Sequence, residues 1–155
     1  DPREPRTDEH DESTPEPDED GTVALEPHDE PECWALLGRS GIGRLAVAVG
    51  RQPDIFPVNY VVDARSIVIR TAAGTKLAGA VLGGRVAFEI DAFDEETHSG
   101  WSVVVHGTAG EVTTLEDRLA AEELDLDPWA AGEKDRFLRV SPLKVTGRRL
   151  PGGGP

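Results

Sequence analysis

The chain has 155 residues, with 30 acidic and 16 basic side chains, and its formal net charge is −14. Residues 1–32 hold 14 of the acidic residues and two of the basic ones, so the remainder is nearly balanced at 16 against 14. This remainder has no large basic field for nucleic acid, and no apolar run reaches the ~20 residues that span a membrane, so we expect neither partner.

Residues 1–27 form an acidic, proline-rich segment with few large apolar side chains. Such a segment cannot bury enough surface to offset its ordering entropy, so we predict a disordered tail. The tail either only solubilises the protein or acts as an arm that folds on a basic surface. The sequence contains no Met, so we expect the natural chain to begin before Asp1. It also lacks a signal-peptide pattern, which favours a cytoplasmic protein.

A first helix is predicted from Asp29, as the capping residue, to Gly38 or Gly41, with Pro31 in its first turn. Cys33 lies on this helix and is the only cysteine, so no intrachain disulfide forms, and we expect a buried thiol. A strand over 42–49 and a turn over 50–54 follow.

Two β-branched runs, 55–62 and 66–70, are separated by a turn over 63–65 and predict a hairpin. The following loop contains Gly74, and Thr75 is placed to cap a helix that runs to about Leu82. Helix N-termini attract anions, and two cations and two hydroxyls gather here: Arg70, Thr71, Thr75 and Lys76. The pattern fits a phosphate site, but an ordinary strand-loop-helix cap with solvated cations would show the same residues.

The remaining elements are a strand over 85–90, a polar connection over 91–100 and a strand over 101–109. The run Val103–Val105 is typical of a strand buried on both faces, as at a dimer interface. A helix over 114–126 and a last strand, over 134–140 and 144–150 with a break at Pro142, complete the prediction. Many short strands with glycine and proline turns favour a closed β-barrel, and 151–155 is predicted to be a flexible end.

Two segments, FPVNYVVDARSIVIRTAAGTKL and GRVAFEIDAFDEETHSGWSVVVHGTAGEV, resemble the pyridoxamine 5'-phosphate oxidase-like family of flavin-binding split β-barrels, most of all its actinobacterial branch. The resemblance implies a mainly β fold over residues 28–150, a six-stranded split β-barrel with short flanking helices. It also implies a homodimer that binds FMN, or in some relatives a deazaflavin, between its subunits.

The resemblance further implies a set of cofactor-binding residues. Those expected along the isoalloxazine ring are Val58 and Asn59, and those beside the phosphate or ribityl chain are Arg70 and Thr71. The phosphate itself is expected at Thr75 and Lys76, and the second subunit is expected to contribute Trp101 and Ser102. Simpler roles remain open: Asn59 as a polar strand residue, Trp101 as core or interface packing, and Arg70 as a cross-strand charge.

The implied activity is FMN-dependent transfer of hydride or electrons to a small substrate. The alternatives are a deazaflavin-dependent reductase of the same fold and a non-catalytic flavin-binding or regulatory protein. No side chain is singled out as catalytic: we expect His98 and His106 to be solvated or buried in the core, and no metal-ligand spacing exists. Arg148 and Arg149 do not match the arginine-rich substrate region of the founding oxidases, so vitamin B6 oxidation is not expected.

Overall fold

The computed structural model describes residues 16, 19, 23–24, 29–71, 77, 84–124 and 136–152. These residues contain seven antiparallel strands and two helices. In chain order the elements are β1 (Val23–Ala24), α1 (Glu30–Leu37), β2 (Ile42–Val49), β3 (Gln52–Asp63), β4 (Ser66–Thr71), β5 (Arg85–Asp94), β6 (Ser99–Glu111), α2 (Leu115–Glu122) and β7 (Arg136–Pro151).

Six of the strands close into a barrel in the order β7-β4-β3-β2-β5-β6, because β6 pairs again with β7. This confirms the predicted six-stranded barrel with short flanking helices. Alternate residues of each strand face the interior, as the two-residue period of a strand requires. The interior is filled by apolar side chains from every strand of the barrel, among them Leu45, Tyr60, Ile69, Phe88, Val105 and Val140.

Helix α1 packs its buried face, which includes Trp34 and Leu37, against this core. Pro31 lies in the first turn and Gly38 ends the helix, as predicted. The Asp29 side chain makes no capping hydrogen bond, so the predicted cap is wrong. The cap position has φ −86° and ψ 9°, rather than the extended conformation from which a side chain reaches the free amides.

The β3–β4 hairpin confirms the predicted turn, since Asp63 pairs with Ser66 and leaves Ala64 and Arg65 as a two-residue loop. Both loop residues have positive φ, 48° and 56°, the conformation of the tight turn that matches strand twist. Strand β3 begins at Gln52, earlier than predicted, and includes Pro53. A proline is tolerated there because β4 pairs with β3 only from Tyr60 onward.

The β5–β6 hairpin corrects the predicted polar connection over 91–100. Strand β5 runs to Asp94 and β6 starts at Ser99, so only residues 95–98 lie between the strands. The register continues through the pair Asp94–Ser99. The charged side chains of this segment misled the prediction, because both strands are solvated at this end.

The last strand, β7, continues through the predicted break at Pro142 and includes Pro151. Near Pro142 the register with β6 shifts: Gly107 pairs with Pro142 while His106 pairs with Lys144. Leu143 is therefore the extra residue of a bulge, which is where a proline can sit within a sheet.

The prediction of a disordered tail is wrong at Val23 and Ala24, because these residues form β1 and pair with Arg149 and Arg148 of β7. Beyond Val140, this edge of β7 is not paired with β4, so its backbone groups are available to β1. Glu16, Glu19, Val23 and Ala24 are the described residues of the predicted tail; the remainder of 1–27, and 153–155, lie outside the described residues.

Helix α2 begins after Thr114, whose hydroxyl accepts a hydrogen bond from the Asp117 amide at 3.2 Å, as its predicted capping role requires. The helix ends at Glu122, before the predicted Leu126. Ala121 joins Val68, Val112 and Phe137 in a second, smaller core outside the barrel interior. Among the described residues, no helix has the length and apolarity needed to cross a membrane.

Candidate functional site

Four of the predicted site residues lie together at one end of the β3–β4 ladder. The last paired residues there are Tyr60 and Ile69, and Asn59 and Arg70 are the next residues on their strands. Val58 and Thr71 follow them. The register of the hairpin therefore places Val58 and Asn59 next to Arg70 and Thr71. The Asn59 and Arg70 side chains are half-buried.

The four residues differ in burial and in their contacts. Val58 and Thr71 are buried, with 8% and 4% of their surface exposed, so Val58 can offer mainly its backbone to a ligand. Arg70 lies across from Phe137 of β7, and its guanidinium carbon is 5.4 Å from the centre of that ring. This is cation–π distance, so Arg70 is not merely a solvated surface charge.

Thr75 and Lys76, together with the predicted helix from Thr75 to about Leu82, lie outside the described residues, except that Leu77 is helical and buried. The predicted phosphate clamp therefore stays a prediction at these two residues. Strand β4 ends at Thr71, immediately before them.

Trp101 and Ser102 lie on β6, which is not a neighbour of β3 or β4 in the barrel. They pair with Arg149 and Arg148, at the opposite end of β7 from Phe137. One protomer therefore does not bring them to Arg70 and Thr71. Trp101 is partly buried and packs against the barrel core.

Trp101 also lines a cleft of about 380 Å³ between α1, the β5–β6 hairpin and the end of β7. The walls are largely apolar, and Phe93, which is 61% exposed, covers Gly100 so closely that a Cβ there would meet its ring at 2.1 Å. At the cleft, Arg149 donates to Glu32 at 3.2 Å. The sequence prediction missed Phe93 because it placed this residue in a polar loop.

A charged cluster on the outside of the barrel was also missed. Arg44 of β2 donates to Glu89 at 2.8 Å and to Asp91 at 2.9 Å, and all three side chains are about one-third exposed. Burial raises the pKa of Glu89, and the Arg44 hydrogen bond opposes that rise. Because 45 residues separate Arg44 from Glu89, only the β2–β5 register reveals the cluster.

Three other reactive side chains lie within the described residues: Cys33, His98 and His106. Burial, with acidic neighbours such as Glu32, raises the pKa of Cys33, which favours the inert thiol. His98 and His106 are exposed. Among the described ranges, no group of three or more His, Cys, Asp or Glu side chains is arranged to hold a metal ion.

Comparison with known proteins gives a consistent result. Residues 29–149 match the protein-family model described as pyridoxamine 5'-phosphate oxidase. A structure described as the FAD binding protein from Mycobacterium smegmatis has a TM-score of 0.70 and 39% identity, covering 81% of this chain and 96% of that chain. A structure described as a conserved protein of unknown function from Corynebacterium diphtheriae has a TM-score of 0.68 and 35% identity, covering 83% of this chain and 97% of that chain. An uncharacterised protein of Mycobacterium tuberculosis, Rv0080, is 35% identical over 127 residues, which are 79% of this chain and 83% of that protein.

Proposed function

Because this chain belongs to the pyridoxamine 5'-phosphate oxidase family, we propose that it binds a flavin nucleotide and acts as an oxidoreductase on a small substrate. The observation that carries the proposal is the 39% identity to the Mycobacterium smegmatis protein, which is described as FAD binding and is covered over 96% of its length. A cytoplasmic location remains a prediction from the sequence.

The proposed cofactor site begins at the end of the β3–β4 ladder. The backbone of Val58 and Asn59 would meet the polar edge of the isoalloxazine ring, and Arg70 and Thr71 would lie beside the ribityl chain and phosphate. A flavin site needs such hydrogen bonds together with an apolar wall. The phosphate would then be held by Thr75 and Lys76, which directly follow β4 in the chain.

The proposed cofactor is FMN, with FAD and a deazaflavin as the compounds to test against it. FAD contains the whole of FMN, including its first phosphate, so the same residues would hold that part of either molecule. The flavin supplies hydride or electron transfer, and the protein places and orients it. No protein nucleophile is required.

A homodimer is part of the same proposal. Trp101 and Ser102 pair near the end of β7, whereas Arg70 pairs near its start, so they would reach a cofactor only across an interface with a second copy. The proposed interface would cover Val104, an outward-facing apolar residue of β6 that is half-buried in one protomer.

The experiment is a visible spectrum of the purified protein, followed by fluorescence titration with FMN, FAD and a deazaflavin. We expect a flavin spectrum, or quenching of flavin fluorescence at a one-to-one ratio with the chain. No absorbance and no response to any of the three compounds would reject the proposal. Turnover with nicotinamide donors and general electron acceptors then tests the oxidoreductase part, and tight binding without turnover would favour a non-catalytic flavin-binding protein.

Lys76→Ala tests the position of the phosphate. We expect cofactor affinity to fall by roughly 1–3 kcal/mol, the scale of a charge-assisted hydrogen bond, as measured by fluorescence titration. Arg85→Ala is the matched control, since it removes an exposed cation from the start of β5. Unchanged affinity in the Lys76 variant would mean that the phosphate lies elsewhere.

A further inference from the structure

We infer that Phe137 is a positioning residue, whose ring holds the Arg70 guanidinium in place for the cofactor phosphate. The inference rests on the proposed function, in which Arg70 lies beside that phosphate. Nothing in the linear sequence suggests it, since Thr71, the end of β4, and Arg136, the start of β7, are 65 positions apart in the chain, and the two strands meet only through the closure of the barrel.

The contact is built by strand register. Arg70 and Phe137 are directly paired across β4 and β7, so their side chains leave the sheet on the same face. The guanidinium carbon lies 5.4 Å from the ring centre. An arginine plane can stack on an aromatic face while its N–H groups point outward in that plane, where they can donate hydrogen bonds.

Phe137 is itself held firmly. Only 2% of its surface is exposed, and it packs with Val68, Val112 and Ala121 in the second core. Its carbonyl accepts a hydrogen bond from the Val112 amide at 2.8 Å. The platform under Arg70 is therefore fixed from two sides, by the segment that follows β6 and by α2.

The consequence for binding is preorganisation. A long side chain that is free in solvent loses rotamer freedom when it grips a ligand, whereas one already stacked on a ring loses less. Arg70 is the penultimate residue of β4, beside the segment 72–76 in which the other predicted phosphate ligands lie. The effect of Phe137 should therefore fall on the phosphate end of the cofactor and leave the ring end unchanged.

The experiment compares the dissociation constants of FMN and riboflavin, which lacks the phosphate. Four proteins are titrated: the unchanged chain, Phe137→Leu, Arg70→Gln and the double variant. We expect Phe137→Leu to weaken FMN binding about three- to tenfold and to leave riboflavin binding within about twofold. In the Arg70→Gln background, Phe137→Leu should have no further effect on FMN.

Phe137→Tyr is the control that keeps an aromatic face, and it should retain the preference for FMN over riboflavin. If thermal melting shows that Phe137→Leu does not fold, Arg70→Lys replaces it, because lysine keeps the charge without the plane. Three outcomes would overturn this inference without affecting the proposed function. They are an equal loss of FMN and riboflavin affinity in Phe137→Leu, an unchanged preference of that variant for FMN, and an additive loss of FMN affinity in the double variant. Failure of the unchanged protein to bind either compound would instead reject the proposed function.

Discussion

At the scale of single residues, the close approach of β6 to β7 depends on one glycine. A Cβ on Gly107 would lie 2.2 Å from the backbone oxygen of Ser141, at the point where the β7 bulge begins. A backbone atom cannot rotate away as a flexible side chain can. The bulged part of β7 therefore requires a glycine at position 107, although the two are more than 30 residues apart in sequence.

Gly107→Ala should destabilise the protein by about 1–3 kcal/mol, because the added methyl group forces the two strands apart. The measurement is urea unfolding followed by circular dichroism. Gly110→Ala, on the same strand, is the control: its Cβ would meet nothing within 4 Å, and stability should change by less than about 0.5 kcal/mol. Equal effects of the two substitutions would contradict the argument from close packing.

Tyr60 links stability to alkaline pH. Its hydroxyl donates to the carbonyl of Leu37 at 2.6 Å, and burial raises the pKa of this tyrosine to about 12 from an ordinary value of 10. A raised pKa favours the neutral form in the folded state, so this stabilisation is complete below pH 10 and is lost as pH rises through about 12.

Tyr60→Phe should therefore lower stability at pH 8 by about 1–2 kcal/mol, through the unsatisfied carbonyl of Leu37. Between pH 10 and 12, the unchanged protein should lose stability more steeply than the variant, by up to about 3 kcal/mol. Denaturant unfolding at several pH values measures both effects. Parallel pH profiles would show that Tyr60 does not titrate in this way.

At the scale of elements, the β3–β4 hairpin carries local strain. Ala64 and Arg65 occupy the left-handed region, which costs a non-glycine residue about 1–2 kcal/mol. The strands on either side impose the turn, because residues 66–69 of β4, of which the last three are apolar, are all buried and fix its register. The turn was predictable from the interrupted β-branched pattern, but its handedness was not, since neither residue is typical of that conformation.

Arg65→Gly should stabilise the protein by about 0.5–1 kcal/mol, because relief of the unfavourable φ outweighs the greater freedom of glycine in the unfolded chain. Arg51→Gly is the matched control in the β2–β3 turn, where the arginine does not have positive φ. That change should be neutral or destabilising. Thermal melting compares the two, and a loss of stability in the Arg65 variant would contradict the strain.

Prediction from sequence succeeded where one element carries its own signal. The strand over 42–49 matches β2 at both ends, and the Thr114 cap was found from its spacing to Asp117. It failed where the outcome depends on a partner: β1 exists because the β7 edge is available, and the hairpin of β5 and β6 extends into charged residues. For the proposed site, the roles of Asn59 and Arg70 come from motifs and stay predictions, whereas the contacts of Phe137 and Phe93 depend on tertiary structure and could not be predicted.

At the scale of the whole molecule, the proposed dimer can be tested at the outer face of β6. Val104 lies across from Glu89 on that face, so a lysine at 104 would find a carboxylate within one protomer. Its ammonium would nevertheless be costly to bury in an interface with a second copy.

Val104→Lys should therefore convert a dimer to a folded monomer, as measured by light scattering coupled to size exclusion, and should also weaken flavin binding. Thr108→Lys, at an exposed position of the same strand, is the control and should leave the dimer intact. A protein that is monomeric before any substitution, or a dimer unaffected by the lysine at 104, would contradict the proposed interface.

The central place of β7 has a consequence for biosynthesis. Of the described strands, this one is synthesised last, yet it is the partner of both β4 and β6. Until it emerges, those two strands present unpaired edges, and the long sequence separation of the missing contacts makes closure slow. A chain that stops before Arg136 is therefore expected to aggregate through these edges. The yield of native protein should then depend on how quickly β7 (Arg136–Pro151) closes the barrel.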